Sequence, residues 1–442
     1  MGKNDIVKPS ILPGFMELIP EDQLLFNKMK DTIRETYEKY GFIPLDTPTI
    51  EKAEILLAKS GGDTEKQIYR FKKGTTDMAL RFDLTVPLAR YVAQHYSELT
   101  FPFRRYHIGK VFRGERSQRG RFREFYQCDI DIIGNGTLNI IYDAEILSVI
   151  YATFKNLGFE DFTIKINNRK ILNGFFESLG IKNKAEVLRT IDKLDKIGEN
   201  DVIKELKDIG LTENETNKII NFIKIKGTNA EILESLKSIE VENQVFEMGL
   251  QEMSTVIHYI KSFNIPDENY AIDLTIARGL DYYTGTVYET FLNEYLDIGS
   301  VCSGGRYDNL AEYYTTQKLP GVGISIGLTR LFYQLKETEI FGEKTPSTLT
   351  KVLVVPMDEV HNEYSIEIAN LLRNENIISE VYFEDAKIGK KLDYANKLGI
   401  PYVILIGGNE LASKKPALKD MRSGNQNNLN LDEIIGILKQ NI

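Results

Sequence analysis

Apolar residues in the first part of the chain recur at two spacings, and these predict its elements. Leu25, Met29, Ile33, Tyr37 and Tyr40 fall at three- and four-residue steps. That spacing predicts a helix opened by Pro20-Glu21-Asp22 and closed by Gly41. Residues 42–50 then read as one strand, which Pro44 and Pro48 confine to a sheet edge or an interface. Residues 66–71 and 78–81 read as short strands about the turn Lys73-Gly74-Thr75, followed by a helix over 88–95. Residues 106–112 and 122–130 run apolar or alternate as two arms of a long hairpin, whose tip is the polar loop 114–120. An amphipathic helix is expected over 143–157. From 169 to about 263 the pattern changes to short helices with polar joints, and Thr212…Glu215 and Thr228…Glu231 have the capping-box form.

Strand character returns at 270–277 and 287–291. The stretch 321–330 alternates as a strand and leads into a helix over 331–335. Its glycines are spaced G-x-G-x-x-x-G and lie within a strand, not at a strand-to-helix turn, which excludes a dinucleotide fingerprint. Residues 336–351 are polar and read as a linker. Beyond them strands at 352–356, 378–383 and 402–406 alternate with helices at 360–374 and 387–398, ahead of a turn at 421–425 and a helix at 431–439. This predicts a small, separately folded α/β domain with a largely parallel sheet. The fold class is α+β, with the antiparallel part first.

Charge changes the picture at one place. Residues 101–125 carry eight basic side chains (Arg104, Arg105, Lys110, Arg113, Arg116, Arg119, Arg121, Arg123) against Glu115 and Glu124, a formal +6 in a protein whose net charge is −9. A local positive field in an acidic protein points to a bound polyanion. Arginine suits forked contact with phosphate, and Phe122, Phe125 and Tyr126 offer rings for a base. Ordinary surface arginines on a solvated hairpin are the bland alternative. The α/β domain, with eleven basic and thirteen acidic residues over 351–442, declares no polyanion partner by charge.

Composition excludes other classes. At 442 residues, 42% hydrophobic and 27% charged, the chain suits two or three soluble domains. Cys128 and Cys302 lie far apart and the four histidines are scattered, so neither a structural zinc site nor a disulfide framework is expected. No apolar run approaches membrane-spanning length and MGKNDIVKPS has no signal-peptide core, so a cytoplasmic protein is expected.

Candidate chemistry lies in three further places. Asp83 and Thr85, two apart on an extended segment, face one side and would accept hydrogen bonds from a small ligand's ammonium group, or else cap the next helix. Arg278, among glycine and tyrosines in a strand-like stretch, needs a partner if buried: a bound anion, or Asp273 or Asp281. Arg330 closes a glycine-lined strand at the head of a helix, where a planar ligand would lie close to the backbone.

Taken in order, these pieces resemble the histidyl-tRNA synthetases of the class II aminoacyl-tRNA synthetases. The resemblance runs over nearly the whole chain. It is carried by the helix–strand with Pro48, the hairpin around Phe112-Arg113-Gly114-Glu115 and Arg123-Glu124-Phe125, and Gly327-Leu328-Thr329-Arg330. The stretch 278–285, Arg-Gly-Leu-Asp-Tyr-Tyr-Thr-Gly, is its most specific element, with 303–308, Ser-Gly-Gly-Arg-Tyr-Asp, in support. It implies a class II synthetase-like antiparallel sheet with helices: a catalytic core over 1–168 and 266–335, a helical insertion over 169–265, a linker over 336–351 and an anticodon-binding domain over 352–442. It implies a homodimer acting on L-histidine, ATP with Mg²⁺, and tRNA(His). By the same resemblance Asp83, Thr85 and Gln127 hold the α-amino group, and Asp131 with Tyr283, beside Tyr282, the imidazole. Arg113 meets the α-phosphate, Glu115 and Phe125 the adenine, and Arg330 the γ-phosphate. Arg278 serves the α-phosphate during attack, and Arg116 and Gln118 contact the tRNA acceptor end.

The chain departs from a common family pattern at three positions. It has Asp83-Leu84-Thr85 for Glu-Gly-Thr, Asp131 for Glu, and Thr329 for the glutamate before Arg330. The rival readings are the non-catalytic histidine-sensing regulatory subunit of ATP phosphoribosyltransferase and a general RNA-binding protein. The regulator is expected to lack the C-terminal domain and the full Arg278 element. An RNA binder leaves the acidic and tyrosine set unexplained.

Overall fold

A computed structural model describes residues 7–58, 63–115, 120–276, 282–308, 310–336 and 347–441. These form two compact units, one from residues 7–16 and 29–336, the other from 17–28 and 347–441. The strands in chain order are β1 (Ile43–Pro44), β2 (Ile50–Lys52), β3 (Arg70–Lys73), β4 (Thr76–Leu80), β5 (Phe103–Phe112), β6 (Glu124–Ile133), β7 (Phe162–Asn168), β8 (Tyr270–Ile272), β9 (Thr286–Leu292), β10 (Cys302–Tyr307), β11 (Gly321–Ile326), β12 (Val352–Pro356), β13 (Ser379–Val381), β14 (Tyr402–Ile406), β15 (Ala417–Asp420) and β16 (Gln426–Asn428).

The first unit is built on an eight-stranded sheet in the order β1-β5-β6-β11-β10-β9-β7-β8. Its interior is antiparallel, and only the edge pairs β1/β5 and β7/β8 are parallel. The predicted hairpin is β5–β6, paired from Phe103↔Ile133 to Phe112↔Glu124. Most of β5 is buried on both faces, so its polar residues have to find partners inside the protein. The helix Ile141–Asn156 packs on the sheet through Ala144, Leu147 and Ile150, all fully buried.

The short helices predicted after 169 are present between Arg169 and Ser262. Both capping boxes form: Thr212 and Glu215, then Thr228 and Glu231, exchange side-chain-to-backbone bonds. Phe175 stacks on Phe222 at 3.9 Å and 13°. Gly174 lets two helices approach closely, since a Cβ there would stand 2.3 Å from the Phe246 amide nitrogen.

In the second unit a five-stranded sheet runs β13-β12-β14-β15-β16. The first three strands are parallel and the last two antiparallel, as the alternation of strand and helix predicts.

Four stretches differ from expectation. Residues 42–50 form only β1, with β2 beginning at Ile50, because the prolines remove donors that a continuous ladder needs. Residues 63–67 are a helical turn, and the strand starts later, at Arg70. The strand read at 270–277 stops at Ile272; the buried Asn167 amide donates to the carbonyls of Leu274 and Ile276, drawing the backbone off the ladder. β7 went unread, although it holds the centre of that half of the sheet. Residues 337–346 of the expected linker lie outside the described residues.

Candidate active site

A cavity of about 530 Å³ opens on the face of the sheet formed by β6, β11 and β10. Side chains two apart on a strand share a face, so Gln127, Asp129 and Asp131 of β6 all reach this cavity. It collects Asp83, Thr85, Tyr282 and Tyr283 at its acidic end, and Arg113, Glu115, Phe125 and Arg330 among its other walls. Of the residues given ligand or tRNA contacts by the resemblance, Arg116, Gln118 and Arg278 lie outside the described residues; Asp83, Thr85, Arg113, Glu115, Phe125, Gln127, Asp131, Tyr282, Tyr283 and Arg330 line this cavity.

At the acidic end the protein holds Asp83 and Gln127 by one side only. Asp83 does both things the sequence left open. Its Oδ1 accepts from the Val86 amide (3.0 Å) at the head of the helix Thr85–Gln94, while its Oδ2 is buried with no protein partner. Thr85 is thus the first helical residue, not part of an extended segment, and shares a side-chain bond with Tyr282. Gln127 donates from Nε2 to Ser325 Oγ (2.8 Å), and its Oε1 is buried and orphaned. Asp131 is held at both oxygens: Arg105 Nη2 is 2.5 Å from Oδ2 and the Tyr307 hydroxyl donates to Oδ1 (2.8 Å). Gly323 faces it on β11, where a Cβ would stand 2.3 Å from Asp131 Oδ1. Each carboxylate oxygen has two lone pairs, so Asp131 can still accept a further bond.

Burial sets the electrostatics here. Desolvation raises the Asp83 carboxyl to about 6, against the opposing Val86 amide bond and the charge of Arg113. It raises Asp129 to about 7, against Arg105 and the Ser325 bond, with Asp131 and Asp83 adding to the rise. It also pushes up Asp131, opposed by Arg105 and Tyr307. Tyr283 stands over all three acids and is raised by burial and then by their charges, so its hydroxyl stays protonated. His107, opposite Asp129 across the β5/β6 ladder, is lowered to about 3 by burial and by Arg105 and Arg81, and so stays neutral.

Among the described residues of the basic stretch, most side chains have internal partners. Arg104 is forked onto Glu145, Arg105 meets Asp131 through Nη2 alone, Lys110 pairs with Glu124, and Arg121 lies 3.6 Å from Glu115. Arg123 donates to the carbonyls of Glu115 and Pro13. Arg113 differs: Nε donates to the Phe82 carbonyl (3.0 Å) and its guanidinium lies 5.2 Å above the Phe125 ring. Across the cavity Arg330 donates to the Ile298 carbonyl (2.5 Å). Phe122 meets Tyr333 edge-on at 5.3 Å.

Thr329 replaces the lost glutamate with a different contact, its Oγ1 accepting from the Tyr126 amide (2.8 Å). That ties the helix Leu328–Lys336 to β6. Two bonds unread in the sequence anchor the hairpin tip: Arg123 N donates to Gly14 O, and Gly114 N to Gln67 O, each at 2.7 Å. Asp129 and Ser325 also went unremarked, although the period-two run Gln127, Asp129, Asp131 was the signal for Asp129. Asp273, named above as a partner for Arg278, pairs with Lys165 (2.8 Å) and accepts from the Thr275 hydroxyl.

An antiparallel sheet with an acid-lined, amino-acid-sized pocket beside an arginine-bearing hairpin defines a class II aminoacyl-tRNA synthetase fold and site. The family model described as Histidyl-tRNA synthetase matches residues 14–331, and that described as Anticodon binding domain matches 351–441. The chain belongs to the histidyl-tRNA synthetase family. It is 70% identical to a histidine–tRNA ligase of Clostridium tetani over 99% of both chains, and 51% identical to that of Clostridium acetobutylicum over 98% of this chain and all of the other. The crystal structure of histidyl-tRNA synthetase from Nostoc sp. PCC 7120 superposes with a TM-score of 0.91 at 41% identity, covering 99% of this chain and 100% of that one. A structure titled as an ATP phosphoribosyltransferase regulatory subunit/histidyl-tRNA synthetase from Bacillus halodurans shares the fold at 22% identity and TM-score 0.72. The regulatory reading is not favoured, because the chain carries the C-terminal domain which that reading omits.

Proposed function

We propose that the protein activates L-histidine with ATP and transfers the histidyl group to the 3′ end of tRNA(His). The histidine carboxylate attacks the α-phosphorus and pyrophosphate leaves. A terminal ribose hydroxyl then attacks the acyl carbon of the adenylate, and AMP leaves. The observation that carries this reading is the polarity of one cavity. Buried acids with orphaned acceptors stand at one end, and arginines held by backbone carbonyls at the other. A zwitterion fits it in one direction only, ammonium on the acids and carboxylate toward Arg113.

In this reading Asp83, Thr85 and Gln127 bind the α-amino group, while Asp131 and Tyr283, flanked by Tyr282, bind the imidazole. Arg113 takes the α-phosphate, Glu115 and Phe125 the adenine, and Arg330 the γ-phosphate. Arg278 adds charge to the α-phosphate as the two anions are pressed together, an electrostatic form of catalysis that needs no covalent nucleophile. Arg116 and Gln118 meet the acceptor end, and the domain over 352–442 meets the anticodon. Among the described residues no cluster of three acidic, histidine or cysteine side chains could hold a metal by itself. Mg²⁺ would be held by the phosphates of ATP, its usual mode of binding, and would supply charge neutralisation there. Two chains pair through the edge of the first unit, where Ile43, Ile50 and Phe71 are exposed. No helix among the described residues is long and apolar enough to cross a membrane, and we place the protein in the cytoplasm. Pyrophosphate exchange screened against all amino acids tests the reading. Exchange with histidine alone is expected, and exchange with another amino acid or none overturns it.

A further inference from the structure

The roles above leave one buried acid of the cavity unused. Asp129 is 2% exposed, lines the cavity between Gln127 and Asp131, and keeps Oδ1 without a protein partner. Asp83 Oδ2 and Gln127 Oε1 are in the same condition. In each of the three groups the protein satisfies one part and leaves an acceptor open. The Val86 amide holds Asp83, and a single hydroxyl, Ser325, holds the other two, bonded to the Gln127 amide on one side and to the Asp129 carboxylate on the other. Buried acceptors are rarely left unpaired, because each costs free energy unless a ligand or water completes it.

We infer that Asp129 is the third acceptor of the substrate's α-ammonium group, acting with Asp83 and Gln127, and that Ser325 is the residue that positions it. A primary ammonium has three N–H donors, and three residues with open acceptors line this cavity. The imidazole has at most two donors, and Asp131, its proposed partner, is already fixed by Arg105 and Tyr307. Charge agrees with the geometry. Asp83, Asp129 and Asp131 are close enough that Asp83 and Asp131 raise Asp129, and among the described residues Arg105, bonded to Asp131 through Nη2, is the buried cation set against these three carboxyls. A cationic group is what this end lacks. The inference rests on the reading of the cavity as an amino-acid site.

The test compares ligands that differ in the ammonium group. Inhibition of pyrophosphate exchange is measured with histamine, which carries ammonium and imidazole, and with 3-(imidazol-4-yl)propionate, which has no amine. Wild type, Asp129→Asn and Ser325→Ala are compared, with folding checked by thermal melting. Asp129→Asn is expected to weaken histidine and histamine roughly 10- to 100-fold, the range for a charged hydrogen bond, and to leave the propionate within about twofold. Ser325→Ala is expected to move the same ratio in the same direction by a smaller factor, and it carries the test alone if Asp129→Asn does not fold. Equal loss for both ligands would place Asp129 on the imidazole or in the scaffold and overturn the proposal, as would no loss for either. Failure of the wild type to exchange with histidine is a separate result, which sinks the reading of the site itself.

Discussion

The two ends of the cavity are built on opposite principles. At the acidic end, Asp83, Asp129 and Asp131 are each no more than 4% exposed, and two of them sit on the central strand β6. They are held against the cost of desolvation, and their carboxyls are raised accordingly. At the other end, Arg113 and Arg330 are half-buried, on the hairpin arm and at a helix head, and lean on backbone carbonyls. A carbonyl is a weaker partner for a guanidinium than a phosphate, so ATP can displace it at little cost. Two buried arginines of this unit pair with carboxylates instead: Arg105 with Asp131 and Arg306 with Asp143. The acidic end is thus fixed and strained before the ligand arrives, whereas the arginine end is provisional.

That contrast is sharpest in rate at the arginine end. If Arg278 pairs with the α-phosphate mainly in the transition state, Arg278→Ala should lower kcat in pyrophosphate exchange by on the order of 3–4 kcal/mol, a factor of hundreds, with little change in either KM. Arg278→Lys should recover only part, since it keeps the charge and loses the fork. Near-normal exchange by a folded Arg278→Ala protein would make Arg278 structural. The acidic end should respond in binding instead. Asp131→Asn is expected to weaken histidine by about 1.5–3 kcal/mol, seen in the histidine KM and by titration. Unaltered titration would detach Asp131 from the imidazole.

The same division explains what the sequence disclosed. The β5–β6 hairpin, the capping boxes at Thr212 and Thr228 and the strand–helix alternation after 352 are local patterns, and all were legible. The resemblance also named Asp83, Gln127, Asp131 and Arg330, which line one cavity. Pairing was not legible. Nothing local tells that Arg105 is consumed by Asp131, or that Arg104 reaches Glu145, 41 residues away. The charge of the stretch was legible, but the internal salt bridges of Arg104, Arg105, Lys110 and Arg121 were not. β7 escaped for a related reason, because a strand whose neighbours β8 and β9 come more than 100 residues later gives no hairpin signal.

A stability measurement separates the two ends without any ligand. The Asp129 carboxyl lies at about 7 in the folded protein, above the ordinary value of 3.8. A raised carboxyl favours the protonated folded state, so its contribution is complete below about pH 4 and is lost as pH rises through 7. Asp129→Asn does not suffer that loss. It should match wild type near pH 4 and exceed it by about 1–3 kcal/mol at pH 8, the usual penalty for a poorly compensated buried polar group. Saturating histidine should then stabilise wild type more than the variant at pH 8. The groups facing Asp129 are Asp83, Asp131, Arg105, Tyr283, Ser325 and neutral His107, and none of these is removed by the substitution. Equal melting at pH 8 would mean that the acidic end is not strained.

The smallest effect is expected where the two ends are joined. Thr329 is 3% exposed, and its hydroxyl accepts from the Tyr126 amide, linking the helix that bears Arg330 to the strand that bears Phe125 and Gln127. Thr329→Val keeps the shape and removes the acceptor, leaving a half-buried amide unpaired. A neutral hydrogen bond contributes about 0.5–1.5 kcal/mol, so stability should fall by that order. Its kinetic signature follows from which end can move. Strand β6 is held on both sides by β5 and β11, whereas the helix is packed through Leu328, Leu331, Phe332 and Leu335 and has this bond at its head. Loosening it should therefore displace Arg330 more than Asp129 or Asp131. The KM for ATP should rise a few-fold, consistent with that energy, while the KM for histidine stays nearly constant. If both KM values rise together, the acidic end depends on the same bond and the two ends are one rigid device rather than two.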